Sequence, residues 1–415
     1  MRAVKRCWMA IVSVVLVTSV VLAAGPKRSK TRAMAEYWVG TWACSPQLGD
    51  PGNAPPAPGF ADSTLRQIVH VSVGGRQLRI RISNAYGANE LTIPGVHIAR
   101  AKEGSAIFPG SDKPITFHGR LSVTIPAGAL IYSDPVDFDL KPLSDLAITI
   151  RFAGVPEGIT THPGSRTTSY LQPGDAMAAT EMPDAAAVEH WYYINGVDVR
   201  TEVPSSAMVA LGDSITDGRN SKTNENGRWT DYLARRLQAA RRTAQVAVLN
   251  QGIGGNRLLH DGLGPNALAR FDRDVIAQNG VRWLILLEGI NDLGTAKNAR
   301  ERGERAATIE DIVGAYEQII LQAHMHNIRV MGGTIMACEG SSYYTPELET
   351  ARQAINRWIR TNGKLDGVVD FDAVTRDRDH PSRLSEKFDS GDHLHPGDAG
   401  YQAMANAVDL ALFKP

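Results

Sequence analysis

Two patterns of apolar and polar positions divide this chain. In the first part apolar residues alternate with polar ones. Gln77-Leu78-Arg79-Ile80-Arg81-Ile82-Ser83 has the period of two expected of a strand with one buried face. Leu121–Ile125, stopped by Pro126, and Asp145–Phe152 repeat that period. Arg66–Val73 is bounded by Gly74-Gly75, a turn signal, and reads as a hairpin with the run from Gln77. Gly49–Gly59, with its four prolines, reads as a loop. Pro and Gly punctuate this part throughout, and no helical stripe of any length appears. Short strands so spaced predict an antiparallel β-sandwich-like accessory domain over 36–202.

From Ser206 the pattern changes, with the boundary at Glu202–Ser206. Short apolar runs appear at Met208–Leu211, Val246–Leu249, Trp283–Leu287, Ile328–Met331 and Val368–Phe371, the fourth broken by Arg329 and the last by Asp370. Helical stripes lie between and after them: Trp229, Tyr232, Leu233 and Leu237; Ile312, Tyr316, Ile319, Ile320 and Ala323; Ile355, Trp358 and Ile359; and finally Tyr401, Met404, Ala405, Val408 and Leu412. Apolar strands alternating with amphipathic helices predict βαβ units and a parallel sheet covered on both faces. About five strands fit a flavodoxin-like three-layer α/β/α domain over 206–415.

The first residues follow neither pattern. Arg2, Lys5 and Arg6 precede Met9–Ala24, which carries no charge and ends in small residues. This is the build of a signal peptide over 1–24, with cleavage after Ala23. A membrane anchor is the alternative, but the uncharged run is shorter than the roughly 20 residues a span needs. The expected product is secreted or periplasmic, with no stable membrane anchor. Over the whole chain 44 basic residues balance 44 acidic ones, which argues against a nucleic-acid partner. Three cysteines are too few for a disulfide scaffold or a four-cysteine zinc site. Cys44 and Cys338, far apart in sequence, read as two buried thiols.

An open parallel sheet binds ligands beyond the carboxyl ends of its strands. The segments there are Gly212-Asp213-Ser214-Ile215, Asn250-Gln251-Gly252-Ile253-Gly254-Gly255-Asn256 and Gly289-Ile290-Asn291-Asp292, with Asp392-His393-Leu394-His395-Pro396 before the last helix. They make an acyl-transfer set. Ser214 needs a base to become a nucleophile, and His395 can accept its proton. Asp392, three residues earlier, can hold the imidazole tautomer. The backbone N–H groups of Ser214 and Gly255 and the amide of Asn291 can form the oxyanion hole. Asp213 and Asp217 read as shaping the turn, and Asp292 as a buttress. Arg257 and Glu288 border the site. Trp38 and Trp42 are candidates for stacking on sugar rings.

These four blocks, in this order, resemble the SGNH hydrolases, also called the GDSL esterase/lipase family. Ile215 stands where Leu is more usual. The resemblance covers about 206–412, and the β-rich part opening Trp38-Val39-Gly40-Thr41-Trp42 is similar to the extra domain of a bacterial subset. It implies an open, shallow site on loops, with Ser214, His395 and Asp392 as the triad and Ser214, Gly255 and Asn291 as the oxyanion hole. A second Asp-x-x-His-Pro at Asp377–Pro381 competes for the base, but His395 stands at the entry of the last helix, where the family has it. The elbow Gly-x-Ser-x-Gly of α/β-hydrolases is absent around Ser214. A dinucleotide loop would need a glycine where Arg257 stands. Asp392, His393 and His395 lack a clear further ligand for a metal, so neither metal nor cofactor is expected. The implied function is a secreted serine ester hydrolase acting on a small-molecule or polysaccharide ester. Acetyl or short-chain carbohydrate esters come first. The alternatives are a lipid or general carboxylesterase and an acyltransferase using the same triad.

Overall fold

Strands fill the first part where the alternation placed them. The computed structural model describes residues 37–154 and 157–414, so the proposed signal peptide lies outside the described residues. The longer strands of the β-rich part are β1 (Tyr37–Ala43), β2 (Ser63–His70), β3 (Gly75–Ser83), β4 (Gly95–Arg100), β5 (Asp145–Phe152) and β6 (Ile194–Thr201). All pair antiparallel. One sheet runs through β2, β5 and β4, with Asp145 opposite His70 at one end of β5 and Phe152 opposite Ser63 at the other. Another runs through β1, β6 and β3.

β2 and β3 are therefore not the hairpin that Gly74-Gly75 suggested. β2 is buried almost along its whole length and takes partners on both sides, β5 and Ser169–Pro173. Val71–Gly74 carries the chain from one sheet to the other. Ser72 in this link donates its hydroxyl to the Thr41 carbonyl at 2.8 Å, and its backbone N–H bonds the same oxygen. The link is held to β1 instead of closing a local turn.

The second part holds β7 (Ser206–Gly212), β8 (Val246–Gly252), β9 (Val281–Leu287), β10 (Arg329–Gly333) and β11 (Gly367–Val369). They are parallel, in spatial order β8-β7-β9-β10-β11. This is the flavodoxin-like order. The wholly apolar runs follow from it, because Met208–Leu211 and Leu284–Leu286 are buried on both faces. The four stripes form α1 (Trp229–Ala239), α2 (Ile309–Met325), α3 (Pro346–Thr361) and α4 (Asp398–Ala407). α1 packs on α4 and α2 on α3. α2 starts at a capping box in which Thr308 and Asp311 each bond the other's backbone N–H.

Two ends differ from the hydrophobic pattern. The last strand stops at Val369 because the Asp370 carboxylate accepts from the Ala373 N–H and starts a short helix at Phe371. The last α-helix stops at Ala407, and Leu410–Phe413 makes a separate 3₁₀ turn capped by Asp409.

The β-rich part covers the edge of the parallel sheet. The Val248 N–H of the edge strand β8 donates to Ser72 Oγ at 3.0 Å. Gly40 of β1 lies so close that a Cβ there would sit 3.0 Å from Leu249 Cδ1. By its contacts the chain from β1 onward is one compact unit. Cys44 and Cys338 are buried free thiols, and burial pushes Cys338 up to about 11.

Candidate active site

β7 and β9 are neighbours, and the chain leaves them toward opposite sides of the sheet. That switch point is where an open α/β sheet leaves a crevice. β7 ends at Gly212, where a Cβ would meet Thr216 Oγ1 at 2.2 Å, so a side chain there would block the turn. The Asp213 carboxylate accepts from the Ile215 N–H at 2.8 Å and caps the short helix Ser214–Asp217. Ser214 is the first residue of that helix. Its backbone N–H is one of the first-turn donors that a helix leaves without a partner of its own.

Before α4 the chain folds back in a tight turn. Asp392 Oδ1 accepts from the N–H groups of His395 at 2.8 Å and Leu394 at 3.0 Å. Asp392 Oδ2 lies 2.7 Å from His395 Nδ1, and His395 Nε2 lies 2.8 Å from Ser214 Oγ. Because a carboxylate can only accept, the proton of the neutral ring sits on Nδ1. Nε2 then offers a lone pair to the serine hydroxyl. Burial disfavours charge on Asp392, but the His395 and Leu394 N–H groups and the His395 ring outweigh it and hold the carboxyl well below the usual range. Burial lowers the pKa of His395, while Asp392 acts the other way.

Gly255 and Asn291 reach the same cleft. Gly255 has φ +70°, the left-handed region that suits glycine, and a Cβ would also press on Leu263. Asn291 follows β9. Its Nδ2 donates to the Asn256 carbonyl at 2.9 Å, which fixes which end of the amide is nitrogen. The Tyr343 hydroxyl donates to Asn291 Oδ1 at 2.9 Å, so the second amide hydrogen remains for a ligand. Asp292 accepts from the N–H groups of Leu258 at 2.9 Å and Leu259 at 3.2 Å, bracing the chain just after Gly255. Burial pushes its carboxyl up to about 6.

Arg270 ties these loops together from below. It is buried, and it donates to the carbonyls of Gly212 and Gln251 and to the Asn256 side chain. Asp213 and Glu288 are buried beside it. Burial pushes Asp213 up to about 7, with the Asp292 charge adding to it, and pushes Glu288 well above its usual value, with the Asp213 charge adding to it.

Several candidates sit elsewhere. Arg257 pairs with Glu304 at 2.6 Å, and Glu288 is enclosed near Arg270 at 3.5 Å, so neither faces the cleft. His380 is exposed, in a turn closed onto Asp377. His393 Nδ1 lies 2.5 Å from Asp389 Oδ2. Trp42 is buried edge-on against Trp191, and Trp38 lies under the Arg79 guanidinium.

Three residues carry no motif signal. Arg166 and Arg219 line the cleft with Ser214 and His395, in a space of about 330 Å³. His162 of the β-rich part lies 2.9 Å from Asp217 Oδ1, at the far end of the serine helix. The loop Pro163–Arg166, with one glycine and with Arg166 at φ +48°, gives no sequence cue that it will meet a site over 40 positions away.

Residues 210–403 match the family model described as GDSL-like Lipase/Acylhydrolase. A catalytic variant of Axe2, an acetylxylan esterase from Geobacillus stearothermophilus, is 20% identical, covering 49% of this chain and 93% of its own, with a TM-score of 0.39. LAE5, an α/β hydrolase enzyme from the metagenome of Lake Arreo, Spain, is 22% identical over 49% of this chain and 92% of its own, with a TM-score of 0.38. Likeness this distant carries no argument about substrate. No curated protein matches the chain. The parallel-sheet part of this chain, residues 210–403, belongs to the GDSL-like lipase/acylhydrolase family, the SGNH hydrolases, and the protein is a carboxylic ester hydrolase of that type.

Proposed function

We propose that the protein is an exported serine esterase that removes short acyl groups, acetyl first, from carbohydrate esters. The observation that carries the mechanism is the hydrogen-bonded chain from Ser214 through His395 to Asp392 at the floor of an open cleft. Ser214 Oγ attacks the acyl carbon as His395 Nε2 takes its proton. The Ser214 and Gly255 N–H groups and Asn291 Nδ2 hold the oxyanion. Collapse expels the alcohol, which takes the proton from His395, and leaves an acyl-serine. Water, activated by the same imidazole, releases the acid. No cofactor enters this scheme.

Export rests on the basic and apolar segments within 1–24. We read 36–202 as an accessory β-sandwich. This reading is supported by Leu65 and Ile150 of one sheet being buried in the same apolar core as Ile80 and Val197 of the other. The polysaccharide preference rests on export and on this appended part. Leu263, 65% exposed beside Gly255, favours a second reading, a lipid or general carboxylesterase.

The test is hydrolysis of p-nitrophenyl acetate, butyrate, octanoate and palmitate by the purified protein and by Ser214→Ala. The expected result is a maximum at acetate or butyrate and a loss on the order of 10⁶ in kcat for the variant. A maximum at octanoate or longer would replace the carbohydrate reading with the lipid one. Equal rates in the two proteins would remove Ser214 as nucleophile.

A further inference from the structure

We propose that the cleft selects anionic esters, those bearing a carboxylate or sulfate near the scissile bond, and that Arg166 and Arg219 hold the anion. This rests on the serine-esterase reading above and deepens it.

The two arginines come from different parts of the chain and meet at one cleft. Arg219 follows the serine helix directly. Its backbone is held at both ends: its N–H bonds the Ser214 carbonyl at 2.9 Å, and its carbonyl accepts from the Tyr401 hydroxyl at 2.5 Å. Its side chain is exposed and has no hydrogen bond or ion pair among the described residues. A guanidinium with a fixed root and a free head, one turn from the nucleophile, is placed to meet something that arrives.

Arg166 comes from the β-rich part. Its side chain is only 20% exposed, and its Nε is buried without a hydrogen-bond partner. Its nearest carboxylate oxygen, Asp217 Oδ2, is 3.8 Å away, and that carboxylate already holds His162 at 2.9 Å. Arg166 also has φ +48°, uncommon for a residue with a long side chain. Strained backbone of this kind collects at sites that use it.

The carboxylate on the cleft wall does not neutralise this pair. The oxygens of Asp392 are taken by the His395 and Leu394 N–H groups, the His395 ring and the Asn220 amide at 2.9 Å. With His395 neutral at rest, the cleft presents the Arg219 guanidinium, and that of Arg166 in a long 3.8 Å pair with Asp217, against one fully engaged carboxylate. A guanidinium fork bonds a planar carboxylate or a sulfate by two parallel N–H groups. In a partly enclosed cleft that attraction exceeds its value in open water. Leu263 and Leu394 also line the cleft and give it apolar surface for the acyl group. An acetylated acidic sugar has both features: a small apolar acyl group and an anion a few ångströms from its ester oxygen.

The experiment compares kcat/KM for three aryl acetates of similar shape: 4-acetoxybenzoate, 4-acetoxybenzenesulfonate and the neutral 4-acetoxybenzamide. The proposal expects the ratio of charged to neutral probe to fall about tenfold in Arg219→Ala and in Arg166→Gln, and further in Arg219→Glu. It expects the wild-type ratio to fall in about 0.5 M salt. A larger effect on the benzoate assigns the site to carboxylates, and a larger effect on the sulfonate assigns it to sulfates. A ratio that is the same in the wild type and in all three variants, with the neutral probe turned over, overturns the anion proposal and leaves the esterase standing. If the wild type hydrolyses none of the three, or Ser214→Ala hydrolyses them equally, the esterase reading fails and takes the proposal with it.

Discussion

At the scale of single residues, the proposed mechanism makes the charge state of His395 decide when the site can work. The ring must be neutral to take the Ser214 proton, so kcat/KM rises as the imidazolium loses its proton. Burial pushes that ionisation below the ordinary 6.5. The Asp392 hydrogen bond and charge oppose burial, and the charges of Arg219 and Arg166 assist it. The acid limb of a kcat/KM profile on a neutral ester is therefore expected to have its midpoint below 6.5. Removing a neighbouring positive charge favours the imidazolium, so Arg219→Ala should move that midpoint upward. A wild-type midpoint above 6.5, or a midpoint that stays in place in the variant, would show that these forces are misassigned. Ser214, Asn291, Asp392 and His395 were readable in the sequence because each sits in a short run of residue types that the chemistry requires, just past an apolar strand or before the last helix. Arg166 was not readable. Its place in the cleft comes from a loop conformation and from sheet packing, and neither leaves a local pattern.

At the scale of elements, the short helix Ser214–Asp217 is clamped at its end by His162. Both ring nitrogens of His162 face acceptors: Nδ1 lies 2.8 Å from the Ser45 carbonyl and Nε2 lies 2.9 Å from Asp217 Oδ1. A carbonyl cannot donate. Burial disfavours charge on Asp217, but the His162 charge and hydrogen bond outweigh it and keep that carboxyl below its usual pKa. The ring therefore bridges the Ser45 carbonyl and the Asp217 carboxylate within the buried interior. Removing one partner leaves a buried charge alone, at a cost of about 3–5 kcal/mol. His162→Ala is expected to lower the unfolding free energy by that amount, read as a lower urea midpoint at unchanged slope, and to lower kcat as the serine helix loses its anchor. Superimposable urea curves would mean that Asp217 is held by something other than His162. The parallel strands were legible because burial on both faces leaves only apolar residues. The hairpin misreading shows the limit of the same logic. β2 and β3 have the alternation of paired strands, and that alternation is the same whether the partner is the next strand or one over a hundred residues away.

At the scale of the whole molecule, the two parts share a buried polar seam. Ser45 Oγ lies 2.8 Å from both Gln251 Oε1 and Asp274 Oδ2, and the Arg270 guanidinium donates to the same hydroxyl oxygen at 2.8 Å. Arg81 donates to Gln278 at 2.6 Å, and Gln47 donates to the Leu263 carbonyl at 2.5 Å beside the cleft. Arg270 also holds the carbonyl at the end of β7, so the seam continues to the floor of the active site. A chain cut at the boundary, 206–415 alone, would expose the edge of β8 and strip His162, Ser45 and Arg166 from the groups they face. An exposed strand edge invites pairing with other chains, and the ionised groups of the seam would be left with fewer partners. The expected outcome is a truncated protein that aggregates, or unfolds without a single cooperative transition, and does not hydrolyse p-nitrophenyl acetate. Size-exclusion chromatography and a urea titration followed by fluorescence check the first two, and a rate measurement checks the third. A monomeric 206–415 with one sharp transition and the full-length rate would show that the β-rich part is dispensable to both fold and catalysis.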